Sequence, residues 1–150
     1  GGALGDGYNL YIPLGTRIID VLNYLNIDEY KVAKVISGGP MMGTSAADLY
    51  APVVKGTSGL LLLDEKEAVL PEESPCIRCG RGAQVCPIGL VPSVLDAFSR
   101  SDKLDECEKW HIKDCIECGS CTFICPAKRY LMQSLRLAKA AVIKRGRAAK

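Results

Sequence analysis

Apolar positions along the first seventy residues change period several times, and each change predicts an element. Tyr8 to Ile12 alternates around apolar positions and stops at Pro13, as a strand does. Leu14-Gly15 turns the chain, and Thr16 stands where a helix N-cap is expected. Ile18, Val21, Leu22 and Leu25 then follow the i, i+3, i+4, i+7 spacing of an amphipathic helix. Val32 to Ile36, rich in β-branched side chains, predicts a second strand, and Leu60 to Leu63 a third. Strand, helix, strand, turn and strand predict an α+β fold with one helix on a mixed sheet.

The pattern changes at Pro71-Glu-Glu-Ser-Pro75, a linker-like stretch that sets a boundary between residues 1–70 and 71–150. Beyond it, Pro92 to Phe98 and Lys103 to Trp110 predict two short helices, the first opened by proline at a tolerated position. Leu131, Leu135, Ala138 and Val142 fall along one stripe of a C-terminal helix.

Composition narrows the picture. At 150 residues the chain holds one domain or two small ones. Halves of about 70 residues each have marginal cores and need staples. A net charge of +2 gives no global argument for nucleic acid or an anionic membrane. The run Leu60 to Leu63 falls far short of the roughly 20 residues a spanning helix requires. Gly1-Gly2 reads as a cut end without a signal peptide. Eight Lys/Arg and no acid lie between Pro126 and Lys150, leaving 11 Lys/Arg against 17 acids elsewhere. Such a basic helix is usually a solvated face. As a docking element it would suit anionic lipid or an acidic partner, and with few interleaved aromatics it argues against nucleic acid.

Two glycine-rich stretches, Gly38 to Gly43 and Lys55-Gly56-Thr57, lack the spacing of phosphate-binding loops and read as tight turns. Met41 and Met42 read as core filler.

The chemistry lies in the cysteines. All eight fall between Cys76 and Cys125, which does not suit a disulfide framework spread over a secreted fold. Cys115-Ile-Glu-Cys118-Gly-Ser-Cys121-Thr-Phe-Ile-Cys125-Pro126 is C-x2-C-x2-C-x3-C-P, the bacterial ferredoxin run. Cys76-Ile-Arg-Cys79-Gly-Arg-Gly82-Ala-Gln-Val-Cys86-Pro87 repeats that frame with Gly82 in place of the third cysteine. In such runs the fourth cysteine serves the other cluster. Cys115, Cys118, Cys121 and Cys86 therefore form a complete set for a [4Fe–4S] cluster. Cys76, Cys79 and Cys125 form a second iron–sulfur site one ligand short. That second site could hold a labile, three-iron or water-ligated cluster, or none. The rival is a zinc-stabilised docking module, but paired zinc knuckles want four ligands per site and no Cys-Pro closure. Cys107 either folds back as the missing ligand or packs as a small hydrophobe, and its acidic neighbours favour packing. His111 reads as a helix-end residue.

With these motifs in hand, Pro13-Leu-Gly-Thr16, Gly38-Gly-Pro-Met-Met-Gly43, Lys55-Gly-Thr-Ser-Gly59 and the two cysteine frames together resemble the C subunit of Rnf-type ion-translocating electron-transport complexes. The resemblance runs from about Tyr8 to Arg145. It implies a soluble-ligand-binding β-grasp module over 1–70 and a two-cluster ferredoxin domain with a basic helix over 71–150. It also implies a C-terminal fragment, with FMN and NADH bound by a preceding part. The expected role is electron relay between that flavin site and a partner, with no catalytic residue in the fragment. Expected partners are other subunits of a membrane complex, including a ferredoxin-like subunit, at the cytoplasmic face. Gly82 departs from the family pattern. A cobalamin reductase of propanediol-utilisation type has a similar layout and stands as the alternative.

Overall fold

The computed structural model describes residues 1–148. The chain divides into two compact units that meet in sequence between Leu70 and Pro71. The first carries the strands and the second is helical, so the molecule is α+β.

In the first unit, helix α1 (Ile18–Tyr24) buries Ile18, Ile19 and Leu22 against Val35 and Leu62 of the sheet. Strands β1 (Lys34–Ser37), β2 (Thr44–Ser45) and β3 (Leu60–Leu63) are ordered β2-β1-β3. Both pairings are antiparallel, with Val35 opposite Leu62 and Ile36 opposite Ser45, so the expected mixed sheet is wrong. The expected strand at Tyr8–Ile12 is also absent. The segment makes no ladder, and its side chains border a groove with Leu22, Leu25 and Leu60. Alternation specifies a pleated strip but not the edge that would pair with it. A single turn, α2 (Glu65–Ala68), ends the unit.

Thr16 is not the helix cap either. Its hydroxyl donates to Pro13 O at 2.9 Å, and Arg17 occupies the N-cap position without a side-chain cap. The orphan N–H groups of Ile18 and Ile19 instead donate to Ala51 O and Leu49 O at 3.1 and 2.8 Å. A passing segment supplies the acceptors that this helix start needs.

The Gly38–Gly43 loop is a tight turn, for two different reasons. Gly38 has φ +107°, which favours glycine. Gly43 has no room for a side chain, because a Cβ there would lie 2.5 Å from Ile36 Cγ2 and 2.6 Å from Gly39 O. Met41 and Met42 are exposed on this loop, contrary to the expectation of core filler.

The second unit is built from α3 (Arg81–Gln84), α4 (Pro92–Arg100), α5 (Leu104–Lys109), α6 (Ser120–Ile124) and α7 (Leu131–Ala148). The core gathers Leu90 and Leu95, Cys107 and Ile112, and Leu135, Ala138 and Val142 from α7. The apolar stripe of α7 is thus committed to the unit's own interior. Several of its cations are used at home too. Arg136 and Lys139 pair with Glu117 at 2.8 and 3.3 Å, and Arg145 with Asp105 at 2.6 Å. Among the described residues, no helix is long and apolar enough to cross a membrane.

The α4 carboxylate Asp96 is buried, at 2% exposure, and accepts from Arg100 Nε at 2.8 Å. It also accepts from Arg129 Nε and Nη2 at 2.9 and 2.7 Å. Arg100 continues to Glu73, whose carboxylate also accepts from Tyr130 N at 2.8 Å. The Arg100 hydrogen bond comes first in holding the Glu73 carboxyl below its ordinary range. This chain of charges ties the segment entering the unit to α4 and to the start of α7.

Candidate metal centre

The two cysteine frames fold alike. Arg78 and Glu117, each just before the second cysteine, take left-handed backbone at φ +53° and +57°. Gly80 and Gly119 follow at φ +74° and +80° and open α3 and α6. Cys86 and Cys125 each enter a proline turn closed by Gly89 N to Cys86 O at 3.1 Å and Lys128 N to Cys125 O at 3.2 Å. Gly89 and Lys128 are left-handed as well, at φ +73° and +52°. After equal intervals, Pro92 starts α4 and Leu131 starts α7. The internal repeat therefore extends past the cysteines into the helices that follow them. Left-handed residues without glycine cost of order 1–3 kcal/mol each and cluster at functional sites. Alternating handedness is also how loops form nests of N–H groups around anionic centres, iron–sulfur groups included.

The cysteines border two cavities. Cys86, from the first frame, shares one with Cys115, Cys118 and Cys121 of the second. Apolar groups including Ile88, Leu90, Met132 and Leu135 complete its wall. Cys76, Cys79 and Cys125 border the other, together with Gly82 and the arginines Arg78, Arg81 and Arg129. Cys121 borders both. The site with four cysteines rests on the core, since Cys86 and Cys115 pack against it, whereas Cys76 and Cys79 are exposed.

Burial and hydrogen bonding pull three of the thiols in different directions. Desolvation pushes the Cys115 thiol up, and the Cys121 thiol up to about 11. Cys118 goes the other way, because it is hydrogen-bonded to Ser120 Oγ at 3.5 Å. A bound metal reverses the burial cost by drawing in thiolates and releasing protons. Behind these cysteines, Lys139 Nζ donates to Cys115 O at 2.6 Å, and Glu117 anchors Arg136 and Lys139. Burial alone would raise the Glu117 carboxyl, but the two cations hold it below its ordinary value.

The donors are thiols alone, a set that serves either a tetrahedral ion or an iron–sulfur cluster. Among the described residues, no three His, Cys, Asp or Glu gather about one point closely enough to hold one metal ion. Tetrahedral zinc needs its donors about 2.0–2.3 Å from a single centre. A multi-iron cluster puts a separate iron under each thiolate, so cysteines standing around a small apolar cavity suit it.

Cys107 stands apart. It is fully buried in the core, with Sγ 4.0 Å from Leu95 O, and burial raises its thiol pKa. It borders neither cysteine cavity. His111 follows α5 in left-handed conformation with an exposed ring, 3.9 Å from the Asp114 carboxylate. Reasoning from sequence missed Asp96, Ser120 and Lys139. Ser120 carries no signal beyond following Cys118-Gly119, whereas Asp96 is marked by Arg100 one helical turn later.

No family model matches the chain. Individual relatives do. The chain is 40% identical over 140 residues to the C subunit of the proton-translocating ferredoxin:NAD(+) oxidoreductase complex of Clostridium ljungdahlii, covering 93% of this chain and 31% of that protein. It is 42% identical over 143 residues to the C subunit of the Na(+)-translocating ferredoxin:NAD(+) oxidoreductase complex of Acetobacterium woodii, covering 95% and 32%. It is 35% identical over 138 residues to the C subunit of the ion-translocating oxidoreductase complex of Methanosarcina acetivorans, covering 92% and 31%. The chain thus spans about a third of the length of these relatives. They lend no support to the cobalamin-reductase alternative. Over nearly its whole length, the chain is similar to a segment of the C subunits of ion-translocating oxidoreductase complexes.

Proposed function

We propose that this chain is the iron–sulfur relay segment of such a subunit, carrying electrons between a flavin/NADH site elsewhere in the longer protein and a neighbouring subunit. The observation that carries the reading is Cys86. It comes from the first frame yet borders the same cavity as Cys115, Cys118 and Cys121. This sharing of a cavity supports the crossed ligation that two-cluster ferredoxins use. A [4Fe–4S] cluster bound there would take up and release one electron at a time.

The residues of this chain do the rest. Cys86, Cys115, Cys118 and Cys121 hold the complete centre, and Cys76, Cys79 and Cys125 hold the incomplete one. Leu90, Met132 and Leu135 keep water from the complete centre. Lys139 and Glu117 fix the loop that carries Cys115 and Cys118. Cys121 borders both cavities, which supports direct electron hopping between centres held there. The first unit reads as a β-grasp-type module. The partners are other subunits of a membrane complex, a ferredoxin-like subunit among them, with the segment peripheral at the cytoplasmic face. The ferredoxin and NAD(+) named for the relatives are the redox partners of the whole protein.

Anaerobic reconstitution of the full chain with iron and sulfide tests the reading. A brown protein whose broad visible absorption bleaches with dithionite is expected. A colourless protein that takes up stoichiometric zinc would overturn it.

A further inference from the structure

We infer that the first centre is a three-thiolate site with one exchangeable iron, and that Gly82 makes it so. This rests on the iron–sulfur reading above. Gly82 occupies, in the first frame, the place that Cys121 holds in the second. Neither sterics nor backbone demands glycine there. Gly82 lies inside α3 without left-handed φ, unlike Gly80 and Gly89. A Cβ at Gly82 would meet Cys121 Cβ at 3.8 Å and both Leu131 Cδ1 and Pro92 Cβ at 3.9 Å, all ordinary contacts. The position has room for a cysteine and lacks one.

Among the described residues, no other thiol or imidazole fills the gap. The spare thiol, Cys107, is sealed in the core and borders neither cavity. The single histidine, His111, is exposed and likewise borders neither. Cys121 touches the first cavity but belongs to the complete set. Cys76, Cys79 and Cys125 therefore anchor three irons. A fourth iron takes water or an added thiol as its outer ligand.

That iron is held by sulfide alone on the protein side, so oxidation releases it. A one-electron oxidant takes one electron from [4Fe–4S]2+, one Fe2+ leaves, and [3Fe–4S]+ remains. Fe2+ with a one-electron reductant reverses the step. Exposure of Cys76 and Cys79 gives the oxidant access, whereas the complete site rests on the core.

The experiment uses the full chain, reconstituted anaerobically and then treated with ferricyanide, with iron analysis and EPR as readouts. Iron is expected to fall from about eight to about seven per chain as the signal of an oxidised three-iron cluster rises to about one spin per chain. Ferrous iron with dithionite should restore the starting state. Gly82→Cys should keep its full iron and give no such signal, and Cys107→Ser should behave as the parent chain does.

A parent chain that keeps all its iron and stays silent overturns the inference, as does Gly82→Cys behaving like the parent or Cys107→Ser losing iron. About four irons before any oxidant, with only the complete site filled, sinks this inference but leaves the relay reading standing. No assembled cluster at either site sinks the relay reading itself.

Discussion

Cys107 and Gly43 show how far burial decides what a single residue does. Cys107 sits among Leu95, Ile112 and Leu135 with its sulfur against a carbonyl, so its place in the molecule is packing. Cys107→Ser puts a hydroxyl into that apolar site and is expected to cost about 1–3 kcal/mol. Thermal unfolding monitored by circular dichroism checks this, with iron content unchanged. The glycines divide just as sharply. Gly43→Ala drives a methyl into Ile36 and the Gly39 carbonyl. It should destabilise the first unit by about 1–3 kcal/mol, as overpacking does. Gly82→Ala meets only ordinary contacts on a helix and should raise stability by about 0.4–1 kcal/mol. Urea titration of both variants decides between these signs. Sequence could not separate these glycines, because a one-letter pattern carries neither φ nor the distance to Ile36. The cysteine frames were far more legible, since ligand spacing is itself sequence information.

At the scale of elements, α7 changes meaning most. Its stripe of Leu131, Leu135, Ala138 and Val142 was legible as one apolar face, but a periodic face does not say what covers it. The cover is the core beneath Cys86 and Cys115. Leu135→Ala should therefore cost about 2–5 kcal/mol. It should also lower iron occupancy at the complete centre before the incomplete one. Leu137→Ala, at a position 65% exposed, should stay within about 0.5 kcal/mol of the parent. Guanidinium titration with parallel iron analysis separates the two. The strand expected at Tyr8–Ile12 failed for a related reason. The alternation of that segment is real, but β1 is already paired on both edges, with β2 on one side and β3 on the other. Thr16 lost its capping role to Leu49 and Ala51, whose carbonyls come from some thirty residues further along and leave no local trace.

At the scale of the molecule, the two units divide the work of folding differently. Residues 1–70 contain no cysteine and close on Ile18, Leu22, Val35 and Leu62, so the proposed reading gives metal no role in their core. The second unit lays part of its core against Cys86 and Cys115, which on the proposed reading bind iron as thiolates. Iron removal from the full chain by a chelator under anaerobic conditions should therefore split unfolding into two transitions. One should be unchanged and the other moved to lower temperature, because a ligand that binds only the native state stabilises it by mass action. Differential scanning calorimetry reads both. A single transition that shifts as a whole would contradict this division. The Pro71–Pro75 stretch carries no apolar side chain other than its two prolines, and the chain divides into its two units where that stretch begins.

The sealed thiol in the second unit has a practical consequence. Seven cysteines are candidates for protection by iron, and Cys107 is protected only by the side chains packed over it. An alkylating reagent can reach it only when the helical core opens. The rate at which mass spectrometry sees Cys107 modified is therefore a clock for global opening. Removal of iron should therefore speed it, and it needs no engineered probe.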